Sequence, residues 1–187
     1  MYSKINRNKA KYAIIFLGDG MGIPTVTAGR IFRGQEDAGM INAESYKTAM
    51  DQLADDGFTG YSKTYCIDRQ TTDSAASATA YLTGVKAIYQ TIGLNGRSRL
   101  GDCSTQIEEN NVESVLKKAK KAGYSTGVVT TTRVHHASPS GTYANVANRN
   151  WYSDKDMVEE KSKFPKCRDL AQQAYDHLTN GNIDVML

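Results

Sequence analysis

Tyr12-Ala13-Ile14-Ile15-Phe16-Leu17 is a continuous apolar run of strand length, cut off abruptly by Gly18-Asp19-Gly20-Met21-Gly22. A run that is apolar on both faces predicts a buried strand, and buried strands of this kind belong to parallel sheets. The rest of the chain alternates in the same way. A helix is expected over about Thr25 to Phe32. Strand-like residues run from Phe58 to Ile67, and a second helix from Ser74 to Leu82 stops at Gly84. Val112, Val115, Leu116, Ala119 and Ala122 share one helical face, with Asn110 and Glu113 as a capping pair and Gly123 as the stop. Ser125 to Thr131 reads as a strand. Arg168 to Leu178 reads as a helix with Leu170, Ala171, Ala174, Tyr175 and Leu178 on its apolar face, and Ile183 to Leu187 begins another strand. Strands alternating with helices predict an α/β fold with a mostly parallel central sheet flanked by helices.

Composition narrows the function classes. The chain has 187 residues, 40% of them hydrophobic, and a net charge of +3 from 23 basic and 20 acidic residues. That charge is too small to argue for a nucleic-acid partner, and Lys117-Lys118-Ala119-Lys120-Lys121 reads as a solvated helix face. No apolar run reaches the roughly 20 residues of a membrane-spanning helix. Residues 1–10 read as a basic tail without the apolar core of a signal peptide, and residues 11–187 as one body. Cys66, Cys103 and Cys167 are too few for a disulfide scaffold and lack metal-type spacing.

Sites in parallel α/β folds collect at the carboxyl ends of strands, and the chemically capable residues fall there. Asp19, between two glycines, reads either as a turn aspartate or as a hard-oxygen metal ligand. Asp73-Ser74 precedes a small-residue helix. It reads either as a helix cap or as a nucleophile facing an anion held by helix-start N–H groups. A serine hydroxyl needs a base or a metal to become a nucleophile, and no G-x-S-x-G elbow is present. Thr130-Thr131-Thr132-Arg133-Val134-His135-His136-Ala137-Ser138-Pro139 places two imidazoles and several hydroxyls at a strand end. Arg149, beside Trp151 and Tyr152, is either a stacked surface arginine or a fork for two phosphate oxygens. His177 reads as a surface residue.

Taken in order, Phe16-Leu17-Gly18-Asp19-Gly20-Met21-Gly22, Asp73-Ser74-Ala75, Gly127 to Val134, His136-Ala137-Ser138-Pro139 and Asn148-Arg149-Asn150-Trp151-Tyr152-Ser153-Asp154 resemble alkaline phosphatase of the animal type. The match runs from about Lys11 to Leu187, as the N-terminal portion of a single, here incomplete, alkaline-phosphatase-like domain. The resemblance implies hydrolysis of small-molecule phosphate monoesters through a phosphoserine, at a site with two zinc ions and one magnesium ion. It makes Ser74 the nucleophile and a zinc ligand, and Asp19 the carboxylate shared between that zinc and the magnesium. It makes Arg149 the phosphate clamp and Asp73 the residue that holds it. Ser138 becomes a magnesium ligand and His136 a neighbour of the magnesium site. His135 and Cys66 receive no role.

Cys103 and Cys167 match a disulfide of animal members. The family further implies a homodimer, an extracellular or cell-surface location and, in many members, a lipid anchor. This chain shows neither a signal peptide nor an anchor signal. The remaining zinc and magnesium ligands of the family lie downstream of Leu187. Two alternatives follow: a truncated, inactive phosphatase-like protein, and a sulfatase or phosphodiesterase of the same superfamily. The Asp73-Ser74-Ala75 string with Arg149 favours monoesters over the latter.

Overall fold

The computed structural model describes residues 8–39, 41 and 45–187, so most of the expected basic tail lies outside the described residues. The chain divides into two compact units, Met1–Tyr61 and Ser62–Leu187.

The first unit contains helices α1 (Ile23–Ala38) and α2 (Ala49–Asp56). Pro24 sits in the first turn of α1, where its missing N–H costs nothing. Thr48 and Asp51 close a reciprocal capping box at the start of α2. Arg30 of α1 forks onto Asp51 at 3.0 and 2.6 Å. Hydrogen bonds from Arg30 and Thr48 hold the Asp51 carboxyl well below the usual carboxylate range. The helix expected over Thr25 to Phe32 is therefore present and longer.

The strand expected over Tyr12 to Leu17 is absent. The segment has no regular structure, and Tyr12 and Phe16 are 86% and 91% exposed. A strand exists only through hydrogen bonds to a neighbour, and among the described residues of this unit none is paired with it. The strand expected over Phe58 to Ile67 is likewise irregular.

The second unit is built around a core of Ile92, Leu94, Tyr143, Val146, Trp151 and Leu170 with smaller neighbours. Its elements are α3 (Ser74–Thr83), α4 (Val115–Lys121), β1 (Gly127–Val128), α5 (Ala137–Ser140), α6 (Val158–Lys163), α7 (Leu170–Thr179) and β2 (Val185–Met186). Strands β1 and β2 pair in parallel, Gly127 opposite Val185 and Val128 opposite Met186. The parallel sheet and its flanking helices follow the expected α/β pattern, with strands shorter than the apolar runs that announced them.

Long-range ties fix the unit. Ile92 and Val146 exchange backbone hydrogen bonds of 2.9 and 2.8 Å, and Cys103 and Cys167, 64 residues apart, form a disulfide. Cys66 is a buried free thiol.

Helix α4 starts later than expected. Ser114, not Asn110, caps it by accepting from the Lys117 N–H. Asn110 and Val112 are used elsewhere: Asn110 Nδ2 donates to the Thr105 carbonyl, and the Val112 N–H to Gly93. The anticipated apolar face of α4 contains no buried residue. Helix α7 buries Leu170, Gln173 and Ala174, whereas Tyr175 and Leu178, expected on its apolar face, are exposed.

Candidate active site

Helix α3 begins at Ser74 because Asp73 closes its first turn. The Asp73 carboxylate accepts from the backbone N–H of Ala75 at 3.1 Å and of Ala76 at 3.2 Å. Small residues on α3 allow close packing, with Ala75 and Ala78 fully buried. Gly84, at φ 80°, ends the helix in a left-handed conformation that glycine adopts without strain.

Helix α5, which carries Ser138, packs on α3. A Cβ at Gly141 would stand 2.6 Å from the Ala78 Cβ, so glycine is what permits the two helices to approach. This contact brings the Ser138 helix against the Ser74 helix.

Asp73 is more than a cap. Its Oδ2 also accepts from Arg149 Nη1 at 2.9 Å, and its Oδ1 from the Gln90 N–H at 3.0 Å. Four donors therefore converge on one carboxylate whose side chain is 8% exposed; the Arg149 side chain is 16% exposed. With its acceptor sites occupied, the Asp73 carboxylate is fixed between the start of α3, Gln90 and Arg149. Arg149 lies 76 residues further along the chain. It is presented by a turn in which Asn148 Oδ1 accepts from the Asn150 N–H and the Asn148 carbonyl from Trp151. Asp73 thus both caps α3 and pairs with Arg149.

Tyr152 joins the arginine turn to the histidine loop. Its ring lies 4.6 Å from the Arg133 guanidinium, which stacks over it. The ring of His135 meets it edge-on at 5.5 Å, and that of His136 lies parallel to it at 6.5 Å. His136 is the residue before α5, and its backbone carbonyl accepts from the Ser140 N–H. The loop is tied down by Tyr143, whose hydroxyl donates to the Val134 carbonyl at 3.0 Å. Burial pushes the Tyr143 hydroxyl up to about 12, so it stays protonated as that donor.

Of the residues singled out in the sequence, Asp73 and Arg149 are in direct contact, and Ser74, Ser138 and His136 lie on the elements packed around them. Asp19 belongs to the first unit. It is exposed in the turn closed by the Met21 N–H on the Gly18 carbonyl. Among the described residues no three His, Cys, Asp or Glu side chains stand together as a metal-binding group. The donors among the described residues are therefore not a closed ligand set for zinc or magnesium.

Three residues were not anticipated. Gln90 touches both Asp73 and Arg149 through its backbone. Lys117, expected on a solvated face, is partly buried and donates to Asn145 Oδ1 at 2.9 Å; desolvation pulls it down to about 8. His177, expected at the surface, has a buried Nδ1. Desolvation first, then the charges of Lys117 and Arg168, lower His177 to about 4. Among the described residues no helix is long and apolar enough to cross a membrane.

A family model described as alkaline phosphatase matches residues 10–187. The chain is similar to the alkaline phosphatase of Gadus morhua, 44% identical over 183 residues, covering 98% of this chain and 36% of that protein. It is 45% identical over 184 residues to the tissue-nonspecific alkaline phosphatase of Homo sapiens, covering 98% of this chain and 33% of that protein. It thus spans about a third of the length of these curated relatives. Among solved structures it is similar to a cold-active alkaline phosphatase from a psychrophilic Shewanella sp., at TM-score 0.56 and 29% identity, over 78% of this chain and 33% of that one. The fold alone is shared with Thermus thermophilus alkaline phosphatase, at TM-score 0.53 and 20% identity, over 82% of this chain and 32% of that one. The family model and the animal relatives together cover nearly the whole sequence, and the chain belongs to the alkaline phosphatase family.

Proposed function

We propose that this chain carries the nucleophile half of a phosphate-monoester hydrolase, as the N-terminal portion of a single larger α/β domain spanning residues 11–187 here. The observation that carries the reading is the Arg149–Asp73 ion pair, formed across 76 residues at the start of the helix that Ser74 opens. In this reading the Ser74 hydroxyl attacks the phosphorus, the alcohol leaves with a proton, and water then hydrolyses the phosphoserine to release phosphate. Phosphoryl transfer asks the protein mainly for positioning and charge neutralisation. A guanidinium has five N–H donors in a planar fork. With Nη1 committed to Asp73, the rest of the fork serves the non-bridging oxygens. The positive end of α3 adds to the same field.

We propose two zinc ions and one magnesium ion as cofactors, with Asp19 and Ser74 contributing to zinc and Asp19, Ser138 and His136 to the magnesium side. The remaining ligands would come from outside this chain. A metal bound there lowers the pKa of the serine hydroxyl and neutralises phosphate charge. Small phosphate monoesters as substrates, a homodimer, and an extracellular or cell-surface location belong to the same proposal.

The test is to incubate the protein with zinc, magnesium and p-nitrophenyl phosphate, quench in acid, and map any phosphoryl group by peptide mass. A label on the peptide carrying Ser74, lost in Ser74→Ala, is the expected result; Arg149→Ala should weaken competition by inorganic phosphate. A label on another residue, or one that survives Ser74→Ala, overturns the reading.

A further inference from the structure

Ile88 to Thr91 form a tight turn, closed by the Thr91 N–H on the Ile88 carbonyl at 3.1 Å. Its third residue, Gln90, has φ 63° and is the one non-glycine in the left-handed region among the described residues. A positive φ at the third position alone defines a type II turn, where glycine or asparagine normally stands. Glutamine there is strained, because its Cβ crowds the following carbonyl. The turn is anchored on both sides. Before Gln90, the Tyr89 N–H donates to Asp68 Oδ1 at 2.8 Å. After it, Thr91 and Ile92 are fully buried, and the Gly93 N–H donates to Thr79 Oγ1 of α3 at 2.9 Å.

What the strained peptide holds explains its persistence. The Gln90 N–H donates to Asp73 Oδ1 at 3.0 Å. The Gln90 carbonyl accepts from the Arg149 backbone N–H at 2.9 Å. One residue thus grips the carboxylate on one side and the arginine's main chain on the other, while Arg149 Nη1 closes the loop onto Asp73 Oδ2 at 2.9 Å. The Tyr89–Gln90 peptide is the one that flips between type II and type I turns. Type I is the form most non-glycine residues prefer, and reaching it turns the Gln90 N–H away from Asp73.

We infer that Gln90 is a positioning residue: its left-handed backbone sets where the Arg149 guanidinium points, through Asp73 and through the arginine's own main chain. The inference rests on the reading of Arg149 as a phosphate clamp. The side chain of Gln90 plays no part in it, so the effect of a substitution follows the new residue's tolerance of positive φ and not its size or polarity.

The test compares Gln90→Gly, Gln90→Asn and Gln90→Val in the whole chain, using the nitrogen-15 NMR signals of the Arg149 guanidinium. Hindered rotation against Asp73 gives resolved Nη signals in the parent protein. Glycine and asparagine keep them. Valine, which tolerates positive φ poorly, merges them into one exchange-averaged signal. Inorganic phosphate binding weakens about tenfold in the valine variant, the scale of one hydrogen bond to a charged group, and is retained with glycine. The backbone amide signals of Ile92 and Val146 report whether each variant is folded, and asparagine against the parent remains informative if valine does not fold. Resolved Arg149 signals in a folded valine variant, or their loss in the glycine variant, overturn the inference. Phosphate binding that needs Arg149 but is indifferent to Gln90 overturns it too. Arg149 signals that follow the series, with no phosphate binding in any variant, sustain the positioning role and sink the clamp reading instead.

Discussion

Residues 8–61 and residues 62–187 obey the same local rules and end differently. Both contain helices closed by the same devices: a proline in the first turn and a Thr48–Asp51 capping box in one, Asp73, Ser114 and Asp169 caps in the other. Among the described residues only the second has a core. Ile92, Leu94, Val146 and Leu170 are completely buried there, whereas no apolar side chain before Cys66 is buried among the described residues. A helix satisfies its backbone within itself, but a core and a sheet need partners distant in sequence. The second unit has them in the Ile92–Val146 exchange, the Arg149–Asp73 pair, the Cys103–Cys167 bridge and the β1–β2 pairing. Apolar content is therefore not what separates the two: Tyr12 to Leu17 is the most continuous apolar run in the chain, and it is exposed.

The covalent tie offers the largest test of this contrast. Closing a loop of 64 residues stabilises by about 4 kcal/mol in the chain-entropy account. Replacing both cysteines, Cys103→Ser with Cys167→Ser, should cost that much in denaturant unfolding followed by the Trp151 fluorescence. Hydrogen exchange over residues 8–61 should stay as it was. If exchange in the first unit accelerates equally, the two regions share one stability and the comparison fails.

A matched pair of truncations is the next step down. Leu94→Ala removes a fully buried side chain and should cost about 2–5 kcal/mol. Ile14→Ala removes one that is 77% exposed and should change stability by less than about 0.5 kcal/mol. Equal costs would mean that the exposed run is packed in solution, and would restore it to the strand its sequence predicts.

The start of α3 was legible in the sequence for a physical reason. Asp73 before a run of alanines and serines is a local signal, and the helix it caps begins where the sequence says. Arg149, Ser138 and His136 stand out only through strings that resemble a family in order; nothing local says that Arg149 reaches Asp73. Strand ends depend on pairing: the strand expected over Ser125 to Thr131 is Gly127–Val128, the length that β2, Val185–Met186, pairs with. The cap of α4 moved to Ser114 because Asn110 was needed by the Thr105 carbonyl. Gln90 left no trace in the sequence, since glutamine is not a turn residue and its conformation is imposed by what it holds. Lys117 and His177, expected at the surface, are drawn inward by the packing of α4 and α7 against the segment around Tyr143 and Asn145.

The smallest expected effect probes that last packing. The Nδ1 of His177 is buried without a hydrogen-bond partner, and the ring lies 6.0 Å from that of Tyr143. Desolvation, then Lys117 and Arg168, hold its pKa at about 4 in the folded protein, against roughly 6.5 in an unfolded chain. Above the unfolded value the ring is neutral in both states and nothing is lost. As the pH falls from about 6.5 towards 4, the unfolded chain takes up a proton that the folded one refuses, so stability declines across that window. The residue is only partly buried, and solvent screens part of the shift, which leaves an effect on the order of 1 kcal/mol. Urea unfolding at pH 7 and pH 4.5 should show that decline in the parent protein and a shallower one in His177→Leu, with Gly127 and Val185 still paired at both pH values. An unchanged slope in the variant would mean that the imidazole is solvated, and that the second unit is looser around α7 than its buried Leu170 and Ala174 imply.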